Sequence, residues 1–218
     1  MSITLEEFYA NISNELKRGT SLDAQIPGRV RRAVRMMEDI HTFRYMEHFA
    51  SLDIDASQTE PRAYATPSGL KSVYFWRILK TTGGYRYLKK VDPRDVDSTE
   101  EAMPKAYWQD GMDYFWLDNT PVENYETEMA YVAYTDIDWT DLSLTPHVVA
   151  NFESVIQAQA CMLFAPQMRD YQFIEAQKEI RNDAMKSAVD ADVEGRQSNE
   201  SPAVRYGWEF AEEINDGD

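Results

Sequence analysis

Apolar residues recur along this chain at two different spacings, and the change between them divides it. Leu5, Phe8, Ile12 and Leu16 stand three and four apart, which places them on one face of a helix. Thr4 with Glu7 is a capping-box pattern, and Gly19 is the expected stop after Lys17 and Arg18. A helix is therefore predicted from Thr4 to Arg18. After a polar link, Pro27 suits the first turn of a second helix. Its buried stripe is Ile26, Val30, Ala33, Val34, Met37 and Ile40, and Arg29, Arg31, Arg32 and Arg35 cover much of the rest.

Near Phe43 the period changes from 3.6 to two. Ser72–Leu79 and Tyr85–Leu88 are rich in β-formers and flank Thr81-Thr82-Gly83-Gly84, a hairpin signal. Asp110-Gly111 between Ala106-Tyr107-Trp108 and Tyr114-Phe115-Trp116-Leu117 is a second one. Glu128 to Tyr134 reads as a further strand, and Asp92 to Glu101 as loop. Helix returns at Thr145-Pro146, an N-cap followed by a first-turn proline, with Val148, Val149, Phe152, Val155, Ile156 and Leu163 facing inward. Ala165-Pro166 interrupts it. A fourth helix is predicted from about Met168 to Val193, with Tyr171, Ile174, Ile180 and Met185 among its apolar positions and Gly195 as its end.

The expected class is α+β: a helical bundle built from the N- and C-terminal helices, with an inserted antiparallel β domain. The expected boundaries are 1–43 and 143–195 for the helical body, 44–142 for the β domain, and 196–218 for an extended acidic C-terminal tail.

Composition narrows the function. The chain has 218 residues, 22 Lys+Arg against 38 Asp+Glu, and a net charge of −16. That excess argues against a protein built to grip nucleic-acid phosphates, because such binding rests on Lys and Arg. From Asp92 to Asp141 fourteen acids face only Arg94 and Lys105, a local net of −12. The single cysteine, Cys161, excludes an intrachain disulfide and a thiolate zinc site. It lies in an apolar helical stretch, where a buried inert thiol is expected. Leu144 to Met168 is the least polar stretch, but His147, Asn151, Glu153, Gln157 and Gln159 break it, so no membrane span is expected. The first residues lack the basic and apolar regions of a signal peptide. A globular protein of a reducing compartment is expected.

Catalytic patterns are missing. His41, His48 and His147 have no metal-ligand partner at helical spacing, and no metal site is expected. Asp136-x-Asp138-x-x-Asp141 fails the EF-hand template, which needs glycine at the sixth place and glutamate at the twelfth, where Asp141 and His147 stand. It reads as a solvated acidic turn. There is no G-x-S-x-G, Walker loop or G-x-G-x-x-G. No catalytic or cofactor-binding residue is assigned.

The most unusual feature is aromatic. Consecutive strand residues point to opposite faces, so Tyr74-Phe75-Trp76 and Tyr114-Phe115-Trp116 cannot all fill a core. Some must meet the helices, another subunit or a ligand. Two uses stay open on this ground alone: a carboxylate-dependent hydrolase, or a carbohydrate- or protein-binding module with an aromatic cleft.

The order of elements resembles the head-to-tail adaptor (connector) proteins of tailed bacteriophages, of the tail tubular protein A type. The resemblance spans about Leu5 to Gly195. It rests on the proline-started helix leading through Phe43-Arg44-Tyr45 into β structure. It continues in Pro104-x-x-Tyr107, Asp110-Gly111, the strand Tyr114 to Leu117, Thr120-Pro121, the strand Met129 to Tyr134, a short acidic link and two closing helices. The resemblance implies a virion structural protein rather than an enzyme, without cofactor, at the head–tail junction and in the host cytoplasm during assembly. It implies a ring of about twelve copies beneath the portal protein, contacts with tail or nozzle proteins, no membrane, and non-specific passage of double-stranded DNA through the lumen. In that setting Asp110, Asp113 and Asp118 are the expected channel-facing residues. Tyr206, Trp208 and Phe210 are the expected interface residues, since they are poor choices for a merely solvated tail.

Overall fold

A computed structural model describes residues 3–17, 19–80, 83–96, 100–168 and 170–198. The fold is α+β, with N- and C-terminal helices flanking a sheet domain. The chain divides into two units. One contains the described residues up to Arg44 and from Thr135 to Ser198, and the other runs from Tyr45 to Tyr134. Expectations placed on Tyr206, Trp208 and Phe210 lie outside the described residues.

The first unit holds α1 (Leu5–Leu16), α2 (Ile26–Ile40), α3 (His147–Met162), the short α4 (Ala165–Met168) and α5 (Tyr171–Ser198). The capping box at α1 is formed: Glu7 N–H donates to Thr4 Oγ1, and Thr4 N–H donates to the Glu7 carboxylate. The helix ends earlier than the glycine suggests. Lys17 takes the left-handed C-cap conformation at φ 51°, and Gly19 begins a 3-10 turn, Gly19–Gln25, where a polar link was expected. Two orphan N–H groups of the first turn are satisfied from the far end of the sequence: Leu5 donates to Leu144 O and Glu6 to Leu142 O. Tyr9 Oη donates to Trp139 O at 2.7 Å. These bonds, and the packing of α3 against α1, α2 and α5, make one body from both ends of the chain.

Two helix ends correct the sequence reading. Pro146, not Thr145, is the N-cap of α3, and no side chain caps it. The helix α5 runs through Gly195 to Ser198 instead of stopping. Arg44 Nη1 donates to Gly195 O at 3.0 Å, so the glycine carbonyl is used by a tertiary contact. Of the expected apolar positions on α5, Met185 is buried, whereas Tyr171 and Ile180 are exposed.

The second unit contains two four-stranded sheets. The first has the order β1 (Glu47–Ala50), β8 (Thr127–Ala133), β3 (Leu70–Leu79), β4 (Tyr85–Tyr87). The second has the order β2 (Ala63–Ala65), β7 (Tyr114–Leu117), β6 (Ala106–Asp110), β5 (Lys89–Lys90). Both hairpins read from the sequence are present, β3–β4 and β6–β7. All named pairings are antiparallel except β5 with β6, which is parallel, so the sheet domain is mixed rather than wholly antiparallel. Leu88, buried between β4 and β5, is where the chain passes from one sheet to the other.

The core of this unit is centred on Trp76, which is fully buried. Tyr64, Tyr107 and Phe115 from the second sheet surround it at ring-centroid distances of 6.1, 5.4 and 5.6 Å. Its indole N–H donates to Thr127 Oγ1 at 2.9 Å, which removes the cost of burying a donor. The aromatic triplets are thus sorted by strand geometry. Trp76 and Phe115 go to the core. Tyr74 and Tyr114 each remain about half exposed, at 49%.

Candidate functional site

The acidic β hairpin carries the first candidate site. Asp110 ends β6, Gly111 turns the chain at φ 62°, and Asp113 precedes β7. Only glycine adopts that φ without strain, so the turn holds the two carboxylates at one exposed tip. Thr66 N–H donates to Asp113 O at 2.9 Å and fixes the tip to the neighbouring strand. Asp118 does not join them. It lies at the other end of β7, roughly 16 Å along the strand by the rise per residue. Its carboxylate accepts from Lys105 N–H at 3.0 Å, and its N–H donates to Ala106 O. Asp118 is half-buried and braces the start of β6.

The second candidate is the outer face of the first sheet. Phe49, Phe75, Tyr85 and Tyr87 lie across it, with Phe49–Phe75 centroids at 6.4 Å and Phe75–Tyr87 at 5.9 Å. The Arg77 guanidinium sits 3.6 Å from the Tyr85 ring centroid and 4.9 Å from that of Phe75. Its Nη2 donates to Glu128 Oε2 at 2.6 Å. Burial opposes the Arg77 charge, but the bonds to Glu128 and Tyr87 outweigh it and raise its pKa. Phe49 and Tyr85 remain 57% and 49% exposed. On the second sheet, Trp108 and Trp116 stack at 6.3 Å with planes 13° apart, and Arg62 lies 5.5 Å from the Trp108 ring. Trp116 Nε1 is buried without an acceptor among the described residues. Sequence reasoning singled out the aromatics but missed Arg62 and Arg77, whose place over the rings depends on cross-strand register.

In the helical unit, Asp192 of α5 gathers the turn that follows α2. It accepts from His41 Nε2 at 2.9 Å, from Arg44 N–H at 3.0 Å and from Arg196 Nε at 2.9 Å. Arg196 Nη2 also donates to Thr42 O at 2.7 Å. Burial pushes the Asp192 carboxyl up, but these three donors together hold it below the usual carboxylate range. His41 is thereby a structural partner of a carboxylate. No residue pattern announced this cluster, because its members lie about 150 positions apart.

The remaining sequence candidates take structural roles. Asp138 accepts from Thr140 N–H and Oγ1, and Asp141 from Ser143 N–H and Oγ, so the acidic triplet builds local turns. Cys161 is fully buried, and burial, with Glu15 adding to it, pushes its thiol up to about 12. A thiol held there is a poor nucleophile at neutral pH. Among the described residues no His, Cys, Asp and Glu cluster has the form of a metal site. No helix among them is long and apolar enough to cross a membrane.

Comparison with known proteins gives one assignment. None of the curated proteins matches the sequence. Among solved structures, a chain from the neck of an empty GTA particle computed with C6 symmetry is similar at 14% identity, covering 78% of this chain and 84% of that one, with a TM-score of 0.26. A score that low does not support an element-by-element comparison of the two folds. The SU10 adaptor protein family, by contrast, matches residues 3–206, nearly the whole length. On that match the chain belongs to the SU10 adaptor protein family.

Proposed function

We propose that this chain is a structural adaptor subunit at the head–tail junction of a phage virion. Copies form a ring of about twelve beneath the portal protein and join it to tail or nozzle proteins, and double-stranded DNA passes through the lumen. The observation that carries this reading is the family match over residues 3–206. The two-unit architecture suits it: a helical body made from both termini, and a sheet unit with aromatic outer faces that can meet neighbours.

The carboxylates Asp110 and Asp113 border the channel. Each copy adds two exposed negative charges to one circle. Their potentials sum within the screening length, about 8 Å in physiological salt, and repel passing phosphates. Asp118, whose carboxylate accepts from the Lys105 backbone N–H, borders the channel at the other end of β7. Tyr206, Trp208 and Phe210 contact other subunits.

The test has two parts. Purified chain, alone or with the portal protein, is imaged and weighed; symmetric rings are expected, and a chain monomeric under all conditions refutes the reading. In the particle, D110K/D113K should leave rings intact and retard DNA packaging or ejection. Unaltered rates with intact rings remove these residues from the channel wall.

A further inference from the structure

The strand β4 is one edge of its sheet: among the described strands, only β3 pairs with it. The bonds at its two ends set its hydrogen-bond phase. Lys80 N–H donates to Gly84 O, and Leu88 N–H to Trp76 O. Antiparallel pairs alternate, so Arg86 is the β4 residue bonded inward to Ile78. Tyr85 and Tyr87, opposite Leu79 and Arg77, therefore aim their N–H and C=O groups at the open edge. An edge of this kind is a template for an added strand.

The chain supplies a segment with the matching pattern. Val204, Tyr206, Trp208 and Phe210 alternate strictly with Arg205, Gly207 and Glu209, the pattern of a strand with one apolar face. Charge points the same way. From Lys80 to Lys90 the sequence holds Lys80, Arg86, Lys89 and Lys90 and no acid, and Lys80, Lys89 and Lys90 are exposed. Residues 199–218 hold six acids and one base, Arg205. In a chain of net charge −16, the β4 edge is basic and aromatic and has no second strand among the described ones, and the C-terminal segment is acidic, aromatic and alternating.

We propose that residues 204–210 of one copy add to β4 of a second copy as a fifth strand of its sheet. The apolar side chains lie on the face that carries Tyr85, Tyr87 and Phe75, and Glu209 lies on the side of Arg86. A tail meeting the next copy's edge is a heterologous contact, which closes into a ring when the rotation allows. The choice of a second copy rests on the ring reading above.

Hydrogen exchange in full-length chains tests it. The recipient is isotope-labelled Y206S/W208S, which keeps its edge and lacks the aromatic tail face. The donor is unlabelled Tyr87→Pro, which keeps its tail. Its backbone loses only an outward N–H, a place where an edge strand tolerates proline; the ring that packs on Phe75 and bonds Arg77 goes with it, which disables its own edge as a recipient. The recipient's Tyr85 and Tyr87 amides should exchange fast alone. With donor at 100 times the dissociation constant they should slow about 100-fold, since about 1% of edges stay free. If circular dichroism shows Tyr87→Pro unfolded, unlabelled wild type serves as donor with the same readout. No slowing in the mixture overturns the proposal. Equal slowing by a short DNA duplex in place of the donor overturns the tail as occupant. Wild type that forms rings while these amides stay fast overturns strand addition and leaves the ring standing. Wild type that is monomeric with slow amides shows a chain using its own tail, and overturns the second copy.

Discussion

Replacing Asp192 should loosen the helical unit by an amount the geometry sets. Three donors lose a carboxylate that is only 10% exposed. A hydrogen bond to a charged group contributes about 1.5–3 kcal/mol. The donors do not all lose that much, because His41 and Arg196 are 23% and 31% exposed and can turn to water. The Arg44 N–H is fixed by the backbone and cannot turn. Asp192→Ala is expected to cost about 3 kcal/mol and Asp192→Asn, which keeps one acceptor, about 2 kcal/mol. For a chain of this size, 1 kcal/mol corresponds to about 2–4 °C, so the alanine variant should melt about 6–12 °C lower. Circular dichroism at 222 nm is the assay, since the long helices lie in this unit. A double-mutant cycle with His41→Ala should show coupling of more than about 0.5 kcal/mol. The pH dependence has a definite sign. The folded carboxyl sits below its ordinary value of 3.8, so its contribution is present above that value and is lost as pH falls through the lower folded one. The gap between wild type and Asp192→Asn should therefore close in acid. A melting temperature within 2 °C of wild type for Asp192→Ala, or a gap that does not narrow in acid, refutes the reasoning.

Gly69 holds φ +67°, and a Cβ there would stand 2.8 Å from Tyr134 O; Gly69→Ala should cost at least about 2 kcal/mol in urea unfolding. Trp76→Ala empties the centre of the sheet unit and should cost about 3–5 kcal/mol, with a loss of near-ultraviolet circular dichroism. Cys161 should resist thiol reagents in the native chain and react at the rate of a free thiol in denaturant; fast native labelling would show that its stretch of α3 opens.

Much of the architecture was legible as period. Residues one α-helical turn apart marked α1 and α2, two-residue alternation marked β3, β7 and β8, and Gly83-Gly84 and Asp110-Gly111 marked the turns, because each of these signals lies within a few neighbouring residues. The α+β class follows from that local information. The resemblance to head-to-tail adaptors was read from the order of the same elements, and the family is shown by the match over residues 3–206.

Other features were set only when distant segments met. The helix α5 continues past Gly195 because glycine disfavours a helix by only about 1 kcal/mol, and Arg196 beyond it is held by Asp192 and by Thr42, about 150 positions away. The strands β1, β2 and β5 span four, three and two residues, too few for a period to show, and exist through their partners. Asp118 looked equivalent to Asp110 and Asp113 as a charge in a list of acids, yet register places it against Lys105 and leaves the other two at a tip. Residue type and spacing identify which side chains are aromatic or charged. Which of them are buried, paired or left facing outward depends on cross-strand register and on contacts between the two ends of the chain, which no short window of sequence contains.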